Sequence, residues 1–480
     1  MRILAATAVL ALTACTTGPQ YQRPEIDMPS TFRFQRQSQA ASIADLGWRK
    51  TYDDIHLQAL LQAALQNNID LKVAAARVEE ARALAGLSAQ NRLPQIGIGL
   101  NDVRQKGLLL GRYSTLEVAS AQAQVSFDVD LWRRLASLDD SARAALLAGE
   151  YARDALKVAL IGDVAAAYFS LIALDAELKI TRRTIANGEK FAALTQSRYR
   201  IGAASDVEAS RAEAALDAVR AAEQDILRQI AQTEDLIAIL LGKNAGGIAR
   251  SRLDDVAMDI SDAVPAGLPA SLVERRPDLR EAEAGLIGSV ADVRAAKAAL
   301  FPSISLTGSY GSQSLAFSSL FSGASRAWSY GLNFVMPVID SQRNAHLVDA
   351  AKMREQQALL RYRGAIAQAF REVSDALIAW HRYGQALLQQ QRQVSALQQA
   401  DVHVRHRYET GYSSYFEVLD SSGSLYAAQL QRVQAYHNAQ IARVQLYRAL
   451  GGGWADATAP KNDAVRSRTR PIRSGGYDEN

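Results

Sequence analysis

From Ala119 the chain alternates with a period of two. Ala119, Ala121, Ala123, Val125, Phe127, Val129 and Leu131 fall on one side, and Ser120, Gln122, Gln124, Ser126, Asp128 and Asp130 on the other. That spacing marks a half-buried strand. Later, Trp328, Tyr330, Leu332, Phe334, Met336 and Val338 lie opposite Ser329, Gly331 and Asn333. Ile304, Leu306 and Tyr310 alternate with Ser303, Ser305, Thr307 and Ser309, and Ile96, Ile98 and Leu100 alternate with glycine and polar residues. These segments predict four strands in two hairpins, over about 95–132 and 303–338. The stretches from Arg134 to Gly202 and from Arg343 to Gly411 contain no proline and are rich in Ala, Leu, Gln, Arg and Glu. They read as helices of about 68 residues, on the order of 100 Å long. Gly162, Gly188, Gly364 and Gly384 mark places where breaks or kinks are expected. Shorter helices, Ser205 to Leu241 and Ser414 to Leu450, return from the glycine turns. Further helices over 55–91 and 269–299 lead into the strands. A return helix stacked end to end on a pre-strand helix matches one long arm, so four helical columns per chain are expected.

The pattern occurs twice. Asp70-Leu71 recurs as Asp278-Leu279, Leu93-Pro94-Gln95-Ile96 as Phe301-Pro302-Ser303-Ile304, and Arg198-Tyr199 with Gly202 as Arg407-Tyr408 with Gly411. Glu208 matches Glu417, and Leu241-Gly242 matches Leu450-Gly451. The offset stays near 208 residues throughout, so shared order and spacing make a tandem duplication. The repeats cover 55–242 and 264–451, joined by a linker over 243–263.

Strands apolar on one face and small-polar on the other suit an outer-membrane barrel; half of a soluble sandwich is the alternative. Four strands cannot close alone, and an eight-stranded barrel is already filled by side chains, so a pore needs three copies and twelve strands. The N-terminus bears on this choice. Met1-Arg2, the apolar run Ile3 to Leu12, and Leu12-Thr13-Ala14-Cys15 have the form of a lipoprotein signal, with 1–14 removed and Cys15 acylated. An ordinary signal peptide containing a cysteine is the alternative. Thr16 rather than Asp favours the outer membrane. Residues 15–54 read as an extended tether, and 452–480 as a polar tail. Beyond the signal, no run approaches about 18 apolar residues, so no transmembrane helix is expected.

The chain has 480 residues, 48% hydrophobic, enough for a packed core. Its net charge is only +4, which argues against a nucleic-acid partner. Cys15 is the single cysteine, so an internal disulfide and a cysteine-rich metal site are excluded. His403 and His406 lie three apart on a helix without a cysteine or carboxylate partner set, so no metal site is expected. No catalytic constellation and no phosphate-binding glycine loop are present, so neither an enzyme nor an ATPase is indicated.

The lipoprotein signal, Gly18-Pro19-Gln20-Tyr21-Gln22-Arg23-Pro24, the duplication, Arg275-Arg276-Pro277-Asp278, Phe301-Pro302 and Leu450-Gly451-Gly452-Gly453-Trp454 carry a family resemblance. The chain resembles the TolC-like, NodT-type outer-membrane efflux lipoproteins over about residues 12–455. The resemblance implies an α+β membrane protein: a homotrimer sharing a twelve-stranded barrel, continued by a long α-helical periplasmic barrel. It implies a passive, cofactor-free exit duct for small molecules, joined through a periplasmic adaptor to an inner-membrane transporter of RND type, commonly proton-driven. It places Gly202, Asp206, Gly411, Tyr408 and Tyr415 at tip turns that close the tunnel and meet the adaptor. Glu417 and Asp420 resemble the acidic positions ringing the closed aperture. Three copies of each would raise their pKa values and attract cations. A first-turn acidic pair favouring a helix N-terminus is the other reading. Ser413 stands where some relatives carry a latching arginine, with Tyr408 and Tyr415 able to pack around the turn instead. A protein-secretion duct and a lipid-anchored coiled-coil scaffold remain as alternatives.

Overall fold

The computed structural model describes residues 18–25, 47–109, 112–253, 269–337 and 341–452. The signal peptide, Cys15, most of the tether, residues 254–263 of the linker, Val338, Trp454 and nearly all of the polar tail lie outside the described residues.

Helices α1 (Trp48–Thr51), α2 (Ile55–Asn67) and α3 (Ile69–Gln90) lead to strands β1 (Gln95–Leu109) and β2 (Arg112–Asp128). Helix α4 (Arg134–Arg200) and its return helix α5 (Asp206–Leu240) complete the first repeat. The second contains α6 (Pro269–Arg275), α7 (Pro277–Ala298), β3 (Ser303–Ser314), β4 (Arg326–Val335), α8 (Ser341–Glu409) and α9 (Tyr415–Ala449). Two 3₁₀ turns, Phe317–Ser319 and Gly323–Ser325, fold the loop between β3 and β4.

The strands form one antiparallel sheet in the order β1-β2-β3-β4. Register joins the separate alternations into common faces. Ile98 pairs with Ala123, Ala123 with Tyr310, and Tyr310 with Trp328. Ile96, Val125, Leu306 and Leu332 share that face by the same registers. The opposite face carries Gly99, Gln122 and Gly311 in one row, and Gly97, Gln124, Ser309 and Ser329 in the next. Much of the first face is exposed in the single chain; Ile98, Tyr330 and Leu332 are 89%, 83% and 69% exposed, while Ala119 is buried.

The first hairpin is longer than its alternation suggests. Its last rung to β3 is Ala119 to Ser314, and above it β1 and β2 pair only with each other. There the apolar face becomes charged, with Asp102, Arg104, Lys106 and Glu117 in place of the apolar row. At the other end the strand stops at Asp128, not near Leu131. Asp130 leaves the sheet to accept hydrogen bonds from the amides of Leu135 and Ala136, which caps α4.

The long helices run unbroken through Gly162, Gly188, Gly364 and Gly384. Tertiary packing outweighs the cost of about 1 kcal/mol per helical glycine. At Gly188 an added Cβ would stand 3.3 Å from the Leu216 side chain, so its absence permits close approach of α4 and α5. Part of α4 is long and apolar enough to cross a membrane, contrary to the run-length expectation, but two-thirds of that 18-residue window is buried. It holds the bundle core, including Ile161, Val164, Tyr168, Leu171 and Ile172.

The pre-strand helices are each split, which the 3.6-residue periodicity does not reveal. Asn68 ends α2 and accepts a hydrogen bond from the Leu71 amide to begin α3. Arg276 precedes Pro277, which occupies the first turn of α7. The return helices end against these two junctions. Asn68 Nδ2 donates to the Leu240 carbonyl at 3.0 Å. Arg276 Nη1 donates to the Ala449 carbonyl at 3.0 Å and to Glu372 at 2.8 Å. Its Nε and Nη2 hold Asp278 at 3.0 and 2.6 Å. Stacked in this way, α5 and α3 span about 85 Å beside the roughly 100 Å of α4.

Gly242 and Gly451 end α5 and α9 at φ +66° and +73°. A Cβ at Gly242 would collide with the Asn67 carbonyl oxygen. Gly242→Ala is therefore expected to destabilise the fold by at least about 1–2 kcal/mol, the cost of a left-handed non-glycine residue. Denaturant unfolding of the reconstituted protein tests this; an unchanged midpoint would refute the junction's steric requirement.

Candidate functional site

The two glycine turns close the far ends of the long helices. Gly202 donates to the Tyr199 carbonyl and Ala203 to that of Arg198, at 2.9 and 2.8 Å. Gly411 and Tyr412 repeat these bonds to Tyr408 and Arg407, at 3.1 and 2.8 Å. Both are Schellman turns, with φ +76° at Gly202 and +84° at Gly411. Ser205 and Glu208 form a reciprocal capping box at the start of α5. Asp206 is exposed beside it, accepting from the Val207 amide at 2.8 Å.

The turns lie side by side. The Arg198 guanidinium sits over the Tyr408 ring at 4.5 Å, and Arg211 over Phe416 at 5.9 Å. Tyr408 and Tyr415 are buried, with ring centroids 5.9 Å apart. They join Ala212 and Val418 in a small core beneath the turns. This core links the two hairpins without any residue at the Ser413 position reaching across.

Glu417 and Asp420 are exposed, three residues apart on α9. Ser413 Oγ donates to Glu417 Oε2 at 2.6 Å, while the Glu417 amide donates to Ser414 Oγ at 3.4 Å. Asp420 lies beyond the first turn. Thus only Glu417 occupies a helix-start position. Donation from Ser413, then from the Ser414 backbone, lowers the Glu417 pKa below its ordinary value. Contacts within one chain therefore act against the rise that crowding of three such carboxylates would bring.

A buried charge cluster above the turns carries no motif in the sequence. Asp401, 6% exposed, accepts from Arg405 Nε at 2.6 Å and from Ser422 Oγ at 2.9 Å. Arg405 also donates to Ser422 and lies 4.9 Å above the Phe191 ring, so it ties α8 to α9 and α4. The i, i+4 spacing of Asp401 and Arg405 was its one visible trace. His403 and His406, by contrast, are exposed on the same helix. Among the described residues no three His, Cys, Asp or Glu side chains form a group able to hold a metal.

Residues 60–243 and 268–452 both match the family described as outer membrane efflux protein. The chain belongs to that family. This efflux protein is 33% identical over 456 residues to the cation efflux system protein CusC of Escherichia coli O6:H1, across 94% of this chain and 99% of CusC. It is 32% identical over 476 residues to the antibiotic efflux pump outer membrane protein ArpC of Pseudomonas putida, across 97% and 98%. The open-state MtrE outer membrane channel of Neisseria gonorrhoeae shares its fold with a TM-score of 0.84 at 29% identity, over 92% of this chain and 99% of that one. The efflux protein is thus an outer-membrane channel subunit, matched by its family once in each repeat.

Because the depressed Glu417 pKa rests first on Ser413, the charge of Glu417 and its hydrogen bond are present above the ordinary carboxylate range and lost as pH falls through the lowered value. Ser413→Ala is expected to raise that midpoint toward the ordinary glutamate value. Isotope-edited infrared titration of the carboxylate reads it directly, and an unmoved midpoint would sink the hydrogen-bond account.

Proposed function

We propose that the protein is the exit duct of a tripartite efflux system, a homotrimer that passively conducts small molecules out of the cell. The observation that carries this is the single apolar face running across four strands, beside a polar face of Ser, Thr, Gln, Asn and Gly. Three copies supply twelve strands and a lumen lined by the polar face. The long helices extend this lumen into the periplasm. A periplasmic adaptor and an RND-type inner-membrane transporter supply the remaining two parts and the energy. The duct itself performs no catalysis and needs no cofactor.

In this reading, Gly202, Asp206, Gly411, Tyr408 and Tyr415 belong to the tip that meets the adaptor. Glu417 and Asp420 face one another around the threefold axis as the resting aperture. Cys15 carries the lipid. Relatives named for cation and for antibiotic efflux have nearly equal identity to this chain. That similarity supports a duct whose transported class is chosen by the pump, with drug-like small molecules as the proposed cargo.

Deletion of the gene is expected to raise accumulation of dyes and antibiotics when the cognate pump is expressed, with reversal by the wild-type gene. Glu417→Ala/Asp420→Ala is expected to restore export while increasing passive entry of large antibiotics through a less tightly closed tip. Unchanged accumulation in the deletion strain under these conditions would refute general drug efflux.

A further inference from the structure

The geometry points to an intramolecular seat for the lipid acyl chain of Cys15, in the cavity where the sheet meets the helices. This inference rests on the lipoprotein reading of Cys15. Residues 18–25 pack along α7 in a definite direction. Gly18 lies against Arg294. Tyr21 donates to Glu283 at 2.8 Å, and Arg23 reaches the same carboxylate at 3.0 Å. From residue 25 back to residue 18 the chain therefore climbs α7 toward its C-terminal end, where the strands begin.

Cys15 precedes Gly18 by three residues, a reach of about 10 Å in extended chain. From Arg294 to Ala298 along α7 is about 6 Å. Ala298 lines a cavity of about 370 Å³ together with Leu131, Trp132, Phe301 and Ile304, and the charged Asp128, Asp130 and Arg134 share its wall. Trp132 and Phe301 stack there with centroids 4.8 Å apart, and Trp132 Nε1 donates to the Pro302 carbonyl at 2.8 Å. These rings sit at the lower margin of the apolar face, the height at which aromatic girdles of outer-membrane barrels meet the inner leaflet. An alkyl chain attached at Cys15 has the reach to enter and finds a largely apolar wall beside the charged groups. It would bridge the start of α4, the end of α7 and the base of β3, and so stiffen the joint between sheet and bundle.

The test uses the full-length protein in native membranes. Cells are fed a fatty acid bearing a photoreactive diazirine, irradiated, and the purified protein is digested for mass spectrometry. The expected result is an acylated Cys15 peptide crosslinked to peptides containing Leu131–Leu135 or Ala298–Ile304. Crosslinks only to phospholipid, or to strands away from the joint, would overturn the seat while leaving lipidation intact. An unmodified Cys15 would overturn both the seat and the lipoprotein reading beneath it.

Discussion

A membrane-embedded sheet must pair its backbone, and four strands cannot do so by themselves. Along β1 and β4, one row each of N–H and C=O groups has no partner strand among the described residues. In hydrocarbon each such group costs several kcal/mol, so an open edge is not viable there. Closure by further copies removes both edges and covers neither face. The apolar face then meets lipid and the polar face encloses water. The lumen rows contribute mostly neutral hydrogen-bonding groups, with the charge of Asp128 at the helix-side end of β2.

The helices answer a different demand: length without a large globular core. Each long helix is supported over its extent by shorter helices laid end to end, and the joints between those shorter helices concentrate the polar chemistry. Arg276 makes one such joint. Its planar fork reaches Asp278, Glu372 and a helix-terminal carbonyl together, a task that a lysine point charge could not perform. Asn68 makes the other with a side-chain amide. The duplicated halves thus solve one mechanical problem with different residues at equivalent positions. Divergence was tolerated because any donor that satisfies the helix-end carbonyl preserves the stack.

At the tip, aromatic and cationic groups hold the hairpins together while the carboxylates remain in solvent. Tyr408 and Tyr415 are buried, whereas Glu417 and Asp420 point away from that core. Cohesion and charge are therefore separated: Tyr408 at the end of α8 and Tyr415 at the start of α9 are buried, while Glu417 and Asp420 of α9 are exposed. Such an arrangement permits the acidic face to change its surroundings without dismantling the aromatic contact.

Periodicity alone specified the strands, the two long helices, the duplication and the glycine turns, because each depends on local repetition or on backbone conformations open to glycine. Family resemblance then identified the channel class. Three features came only from tertiary contact. The split at Asn68 and Arg276 leaves no mark in a 3.6-residue pattern, since a capped junction interrupts helix direction without interrupting amphipathicity. Gly188 stays helical because Leu216 packs against it from a distant part of the sequence. The Asp401–Arg405–Ser422 cluster joins residues of two helices with a ring from a third, and its burial is set by their packing. What is encoded in neighbours along the chain could be read from the chain; what depends on which helix ends meet required the fold, because desolvation and steric approach exist only once distant segments are in contact.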